Sequence, residues 1–249
     1  NLNLGLVYFS NKNLNTSLKY IKKSLDINNK NQLAIYHIGL INLAQRKFDE
    51  AENFFLKLLE INSNDSNALL NLGIIYNKTN NRTKSVEMYE KLIKIKPNNI
   101  YAYNNLGLTY FDNLNFDKAI ECYENCIKID PNFISAYGNL GRTYLELRNF
   151  DKALLNFNKV EKINPADYNN LFAIGKTYLS MEKYDEGFRY YEYRKYLNNT
   201  EAIRYVKKNY NSDELETYEI VNKKILILSE QGFGDTIQFS RYLDFLKKN

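Results

Sequence analysis

Asn105-Leu106-Gly107-Leu108-Thr109-Tyr110, followed by Asn115-Phe116-Asp117-Lys118-Ala119 and Tyr123, is one instance of a pattern that recurs along the chain. Gly107 belongs to the column Gly5, Gly39, Gly73, Gly107, Gly141 and Gly175, each 34 residues from the next. Before each glycine stands Leu4, Ile38, Leu72, Leu106, Leu140 or Ile174. Three residues after it comes Tyr8, Asn42, Tyr76, Tyr110, Tyr144 or Tyr178. Twelve after it is a small residue (Ser17, Ala51, Ser85, Ala119, Ala153, Gly187), and four further on a large one (Ile21, Phe55, Tyr89, Tyr123, Phe157, Tyr191). Pro97, Pro131 and Pro165 keep the same beat. A fixed internal period of this length marks a repeat architecture, in which one unit has too little core alone and neighbours share stability.

Within a unit the large apolar residues recur at spacings of three and four, which places them on one stripe of a helix. For the unit around Gly107 this predicts helices near 101–113 and 117–129; the other units follow by shifts of 34. Gly107 and Ala119 remove bulk where the two helices cross, and Tyr110 and Tyr123 fill the space between them. A proline just past the second helix cannot continue its ladder. Asn115 or Asp117 can cap the second helix.

These columns resemble the tetratricopeptide repeat (TPR) consensus over roughly residues 1–197. The resemblance implies an all-α superhelical solenoid of about six helix-turn-helix repeats, with the first helices lining a concave side that receives a protein or peptide.

The chain has 249 residues, 44% of them apolar, enough for a continuous core. No apolar run approaches the roughly 18 residues of a membrane span. The net charge is +5, but the lysines are scattered, which reads as a solvated surface and not as a nucleic-acid stripe. Cys122 and Cys126 are the only cysteines. Cys126 shares its column with Leu58, Leu92 and Val160, a buried position. A zinc site would need more ligands, and the only histidine, His37, lies more than two repeats away. No metal is expected. Reduced thiols fit a cytoplasmic location. The sequence starts without methionine and part-way through a first helix, as expected of a fragment, so export is not excluded and further repeats can precede it.

One column on the expected inner face is chemically suggestive: Asn3, His37, Asn71, Asn105, Asn139 and Ala173. An asparagine amide both donates and accepts hydrogen bonds, so a row of them can hold a polypeptide backbone of any sequence. The row resembles the asparagine ladder of the O-GlcNAc transferase TPR domain. His37 and Ala173 interrupt it, which leaves Asn71, Asn105 and Asn139 as the continuous peptide-binding grip. Arg142 and Lys176, in the adjoining column, favour an acidic partner. Asparagine makes up about 15% of the chain, so composition alone accounts for part of the column. The tyrosines are read as core.

After Leu197 the beat is lost. Residues 198–222 read as a polar linker with a short helix near 200–209. In 223–249, Lys224-Ile225-Leu226-Ile227-Leu228-Ser229 reads as a strand buried on both faces. A turn through Gly232 and Gly234 follows, then an amphipathic helix capped by Asp235. Strand, glycine turn and helix open a Rossmann-like lobe, and such a turn suits an anionic group at the helix N-terminus. The string from Ser229 to Tyr242 resembles the start of the glycosyltransferase domain in bacterial TPR-glycosyltransferase proteins. Gly187-Phe188-Arg189-Tyr190-Tyr191-Glu192-Tyr193-Arg194 resembles their joining segment, with tyrosine and phenylalanine in place of the usual tryptophans. The resemblance implies a two-lobed (GT-B) enzyme with a nucleotide-sugar donor. By similarity to heptosyltransferase-type enzymes, Asp235 is either a catalytic base or only a helix cap.

One strand and one helix cannot satisfy a sheet's backbone. Residues 223–249 are therefore expected to be a β-α stub, without cofactor or transferase activity of its own. The expected function is a TPR interaction module recruiting polypeptides to an attached glycosyltransferase. The alternatives are a glycosyltransferase with structural repeats, or a free-standing adaptor.

Overall fold

The computed structural model describes residues 1–197. The expected linker 198–222 and the strand-turn-helix of 223–249 lie outside the described residues. Twelve α-helices are present among them: α1 (Leu2–Ser10), α2 (Leu14–Ile27), α3 (Gln32–Ala44), α4 (Phe48–Ile61), α5 (Ser66–Lys78), α6 (Arg82–Ile95), α7 (Ile100–Asp112), α8 (Phe116–Ile129), α9 (Ile134–Glu146), α10 (Phe150–Ile163), α11 (Tyr168–Ser180) and α12 (Tyr184–Tyr191). A short 3-10 helix, Glu192–Tyr196, follows. The chain divides into two units, Asn1–Pro165 and a second from Ala166 on. The first holds five hairpins, α1–α2 through α9–α10. The second, as described, holds α11, α12 and the 3-10 helix.

Helix starts are set largely by short polar caps. The side-chain oxygens of Asn13, Asn81, Asn115 and Asn149 accept the backbone N–H three residues on, opening α2, α6, α8 and α10. Asn31, Asp65, Asn99 and Asp167 do the same for α3, α5, α7 and α11. Each such cap contributes about 1 kcal/mol. Asn115, not Asp117, is therefore the cap of α8. Much of the chain's asparagine serves this purpose.

Helix ends are less obvious from sequence. The second helices of the first unit stop at Ile27, Ile61, Ile95, Ile129 and Ile163, with or without a following proline. At Asn28, Asn62 and Asp130 the side chain accepts the N–H two residues on, a local turn that competes with the helix. The turn inside each hairpin is tighter still. Asn115 N–H bonds Tyr110 O at 2.9 Å and Leu114 N–H bonds Phe111 O at 2.9 Å, the paired closure of a Schellman turn. Its left-handed residue is usually glycine. Here Lys12, Arg46, Asn80, Leu114, Arg148 and Glu182 hold φ between 56° and 62°.

The glycine column works differently from a simple crossing of small residues. A methyl group placed on Gly107 would lie 2.6 Å from Tyr123 Cε1. The missing side chain thus makes a seat for the ring 16 residues on; Gly39 with Phe55, Gly73 with Tyr89 and Gly141 with Phe157 repeat it. Those rings are the largest fully buried side chains of the unit, each stabilising by about 1.5–3 kcal/mol. The small column packs beneath: Ala51, Ala119 and Ala153 are fully buried, while Ser17 and Ser85 donate to the carbonyls of Gly5 and Gly73. The Gly+3 tyrosines serve the core and also carry polar contacts: Tyr76 is buried, and Tyr110 and Tyr144 pack on the core. Tyr110 is half-buried, its hydroxyl donates to Glu90 and Lys118 lies over its ring. Lys84 over Tyr76 and Lys152 over Tyr144 repeat that cation–π pairing.

Candidate functional site

Within the first unit, first helices meet first helices along one face. Phe9 packs edge-on against His37 at 5.1 Å, Asn139 bonds Asn104, and the Arg142 guanidinium lies 5.3 Å from the Phe111 ring centre. The sequence-predicted ladder runs along this face, but its members are not equivalent.

Asn3 is exposed. His37 is half-buried between Phe9 and Tyr36; burial lowers its pKa, and its Nδ1 has no hydrogen-bond partner. Asn71 is only 7% exposed and donates to the Asn67 carbonyl of its own helix at 2.8 Å. Asn105 and Asn139 are half-buried. Asn139 Nδ2 donates to Asn104 Oδ1 at 2.9 Å, and Asn104 Nδ2 reaches Asn105 Oδ1 at 3.4 Å. Three amides of two successive repeats thus form one chain with N–H groups to spare.

The ring beneath each rung differs as well. Burial pushes the Tyr89 phenol pKa up, with the polar side chains of Ser85 and Asn105 pulling the other way. Tyr123 occupies the same place one repeat on, fully buried, and its hydroxyl has no partner. Burial raises its pKa too, with Arg142 pulling the other way.

Arg142 is exposed on α9. Lys176 is exposed on α11 in the second unit, with its ammonium 5.1 Å from the Phe172 ring centre. Around it, that unit is rich in aromatic contacts: Tyr168 stacks on Tyr196 at 4.6 Å, and Phe172 meets Tyr191 at 4.9 Å. Gly232, Gly234 and Asp235 lie outside the described residues. Cys122 and Cys126 are buried free thiols, both pushed up to about 12 by burial, with the neighbouring thiol adding to the shift at Cys122. They are inert packing groups. Among the described residues no group of His, Cys, Asp and Glu side chains is placed to hold a metal, and no helix is long and apolar enough to cross a membrane.

Sequence reasoning did not single out Asn104 or Gly138, and it read Tyr123 only as packing between the helices. The signal for the first two was present in the column three before the repeat glycine: Leu2, Tyr36, Leu70, Asn104, Gly138, Phe172.

Tetratricopeptide repeat signatures match residues 1–31 and 34–65, 100–133 and 122–154, and a further TPR repeat signature matches 75–113. The chain belongs to the tetratricopeptide repeat proteins. Solved structures agree on the fold. PilW, a type IV pilus biogenesis factor, is 18% identical with a TM-score of 0.74, over 83% of this chain and 96% of its own. PilF of Pseudomonas aeruginosa is 16% identical with a TM-score of 0.70, over 83% and 94%. YrrB, described as a TPR protein with an unusual peptide-binding site, is 22% identical with a TM-score of 0.57, over 69% and 89%. No protein of curated function matches the chain in sequence.

Proposed function

We propose that the tetratricopeptide repeats bind an extended polypeptide along the first-helix face, through the amides of Asn105 and Asn139 with Asn71 as a lesser contact. The observation that carries this is the linked series Asn139–Asn104–Asn105 with unused amide N–H groups. Such groups recognise a backbone and not a particular side chain. Asn71 contributes least because it is only 7% exposed and one of its two amide N–H groups is spent on the Asn67 carbonyl of its own helix. Arg142, exposed on the same unit, biases the partner toward acidic segments. The peptide-binding site described for YrrB is consistent with such a role for this fold.

The test is selection of binders from a random peptide library. Replacing Asn71, Asn105 and Asn139 with alanine should weaken the selected peptides at least about tenfold, as expected for two or three lost hydrogen bonds. Unchanged affinity for every selected peptide would remove the ladder.

The finer reading is that the bound polypeptide is presented to an attached nucleotide-sugar-dependent glycosyltransferase. Its support is the string from Ser229 to Tyr242, in which Gly232 and Gly234 form the ligand loop and Asp235 is the base. In the protein's full natural chain, Asp235→Asn should abolish sugar transfer; retained turnover would leave Asp235 a cap only.

A further inference from the structure

The loop between α6 and α7 departs from its counterparts at one residue. The backbone turn is shared by successive loops: Asn31, Asp65, Asn99 and Phe133 donate their N–H to the carbonyls of Asn28, Asn62, Lys96 and Asp130 at 3.0–3.1 Å. At Asn28, Asn62 and Asp130 the side chain also accepts an N–H, from Lys30, Asn64 and Asn132 in turn, at 2.9–3.1 Å. Lys96 stands in that place between α6 and α7, and an ammonium can only donate. Among the described residues the Asn98 N–H has no acceptor, and no carboxylate lies within ion-pair distance of Lys96. A donor that the other loops satisfy internally is here left open beside a positive charge.

A cavity of about 520 Å³ opens at the same loop, lined by Lys96, Pro97, Asn98, Asn99, Ile100 and Tyr101. Its size is that of a small-molecule site. Tyr101 is 58% exposed, at a position held by Leu33, Asn67, Ser135 and Asn169 in other repeats. Phe133 of the following loop meets the Tyr101 ring edge-on at 6.0 Å, an arrangement that steadies it. Cys126 Sγ donates to the Ile100 carbonyl at 3.4 Å and ties the loop to α8. The Asn99 side-chain oxygen is committed to capping α7 through the Ala102 N–H.

We propose that this cavity binds a small aromatic carboxylate. One carboxylate oxygen takes the Asn98 N–H, as the Asp130 carboxylate takes the Asn132 N–H within its own loop. The Lys96 ammonium supplies the charge, and the ligand ring lies against Tyr101 and Pro97. The contacts to the carboxylate are charge-assisted. The site belongs to the loop between two repeats and does not depend on the amide ladder.

The test uses the 249-residue chain, titrated with phenylacetate and with its neutral counterpart phenylacetamide, and read by NMR at the Asn98 amide and the Tyr101 ring. Phenylacetate should bind about tenfold tighter than phenylacetamide, the size expected of one charge-assisted contact. Lys96→Asn gives the loop the residue that Asn62 supplies to its own; it should occupy the Asn98 N–H and cut the preference below about twofold. Tyr101→Ser should weaken both ligands about threefold or more and leave the preference in place. The triple alanine variant at Asn71, Asn105 and Asn139 should bind phenylacetate as the wild type does. Absence of a saturable shift at Asn98, equal affinity for the two ligands, or a preference that survives Lys96→Asn would overturn the site. Unchanged binding in Tyr101→Ser would overturn it too, and loss of phenylacetate binding in the triple alanine variant would move the ligand to the first-helix face.

Discussion

Tyr89 and Tyr123 stand in the same place in successive repeats, under Gly73 and Gly107, yet their surroundings are resolved differently. Around Tyr89 the small-column residue is Ser85, the rung above is Asn105, and both polar side chains pull the phenol pKa back down against burial. Around Tyr123 the small residue is Ala119, the rung is Asn139, and the buried hydroxyl has no hydrogen-bond partner. The aromatic seat is common to both joints; the polar closure is not. A repeat protein can thus hold its stacking constant while one joint stays unsatisfied. Strong stacking tolerates one orphaned hydroxyl, because stability is summed over neighbouring units.

The sharpest way to break this contrast is with two first-helix glycines. Gly107→Ala puts a methyl group 2.6 Å from a fully buried ring. It should destabilise by about 1–3 kcal/mol, the usual cost of overpacking a filled core. Gly138→Ala meets only open space and should stabilise by about 0.5–1 kcal/mol through helix propensity. Urea melts of the two variants should therefore move in opposite directions. A loss at Gly138 would mean that its backbone conformation, not an open gap, demands glycine.

A smaller effect separates the two tyrosines. Tyr89→Phe removes a hydroxyl set beside the polar side chains of Ser85 and Asn105, and should cost about 1 kcal/mol. Tyr123→Phe removes a buried hydroxyl without a partner, and should be neutral or stabilising by about 1 kcal/mol. Equal losses at both positions would show that Tyr123 is satisfied in solution, by water or by Asn139, and would close the difference between the joints.

The joints also show what was legible. The 34-residue glycine column and its partner 16 residues on were plain in sequence, because a large side chain and the absence of one coincide in each hairpin of the first unit. Helices expected near 101–113 and 117–129 appear as Ile100–Asp112 and Phe116–Ile129. The turn residues were not legible. A Schellman closure signals itself by glycine, and Leu114 and Arg148 carry the left-handed conformation without it. The uses of asparagine were not legible, because the same residue type serves as cap and as rung. Asn115 caps α8 and Asn71 bonds its own helix, while Asn139 crosses to the preceding repeat. Composition cannot separate these uses; only the partner of each amide can. Gly138 was hidden because a glycine outside the repeat column reads as noise until the empty space around it is known.

The smallest effect tests the ladder's other interruption. His37 replaces asparagine in the rung column and is held between Phe9 and Tyr36 with Nδ1 unpartnered. Burial lowers its pKa below the ordinary 6.5. The unfolded chain therefore binds a proton at a pH where the folded chain does not. Its contribution to stability is complete above about pH 6.5 and is lost as pH falls through 6.5 toward the folded pKa. With the carboxylates still ionised, the stability difference between wild type and His37→Asn should shrink or reverse on going from pH 7.5 to pH 5. The imidazole is partly exposed, so solvent relieves much of the penalty and the change should be modest. A difference that stays constant over that range would show that His37 titrates alike in both states, and that the two rings leave its second nitrogen open to water.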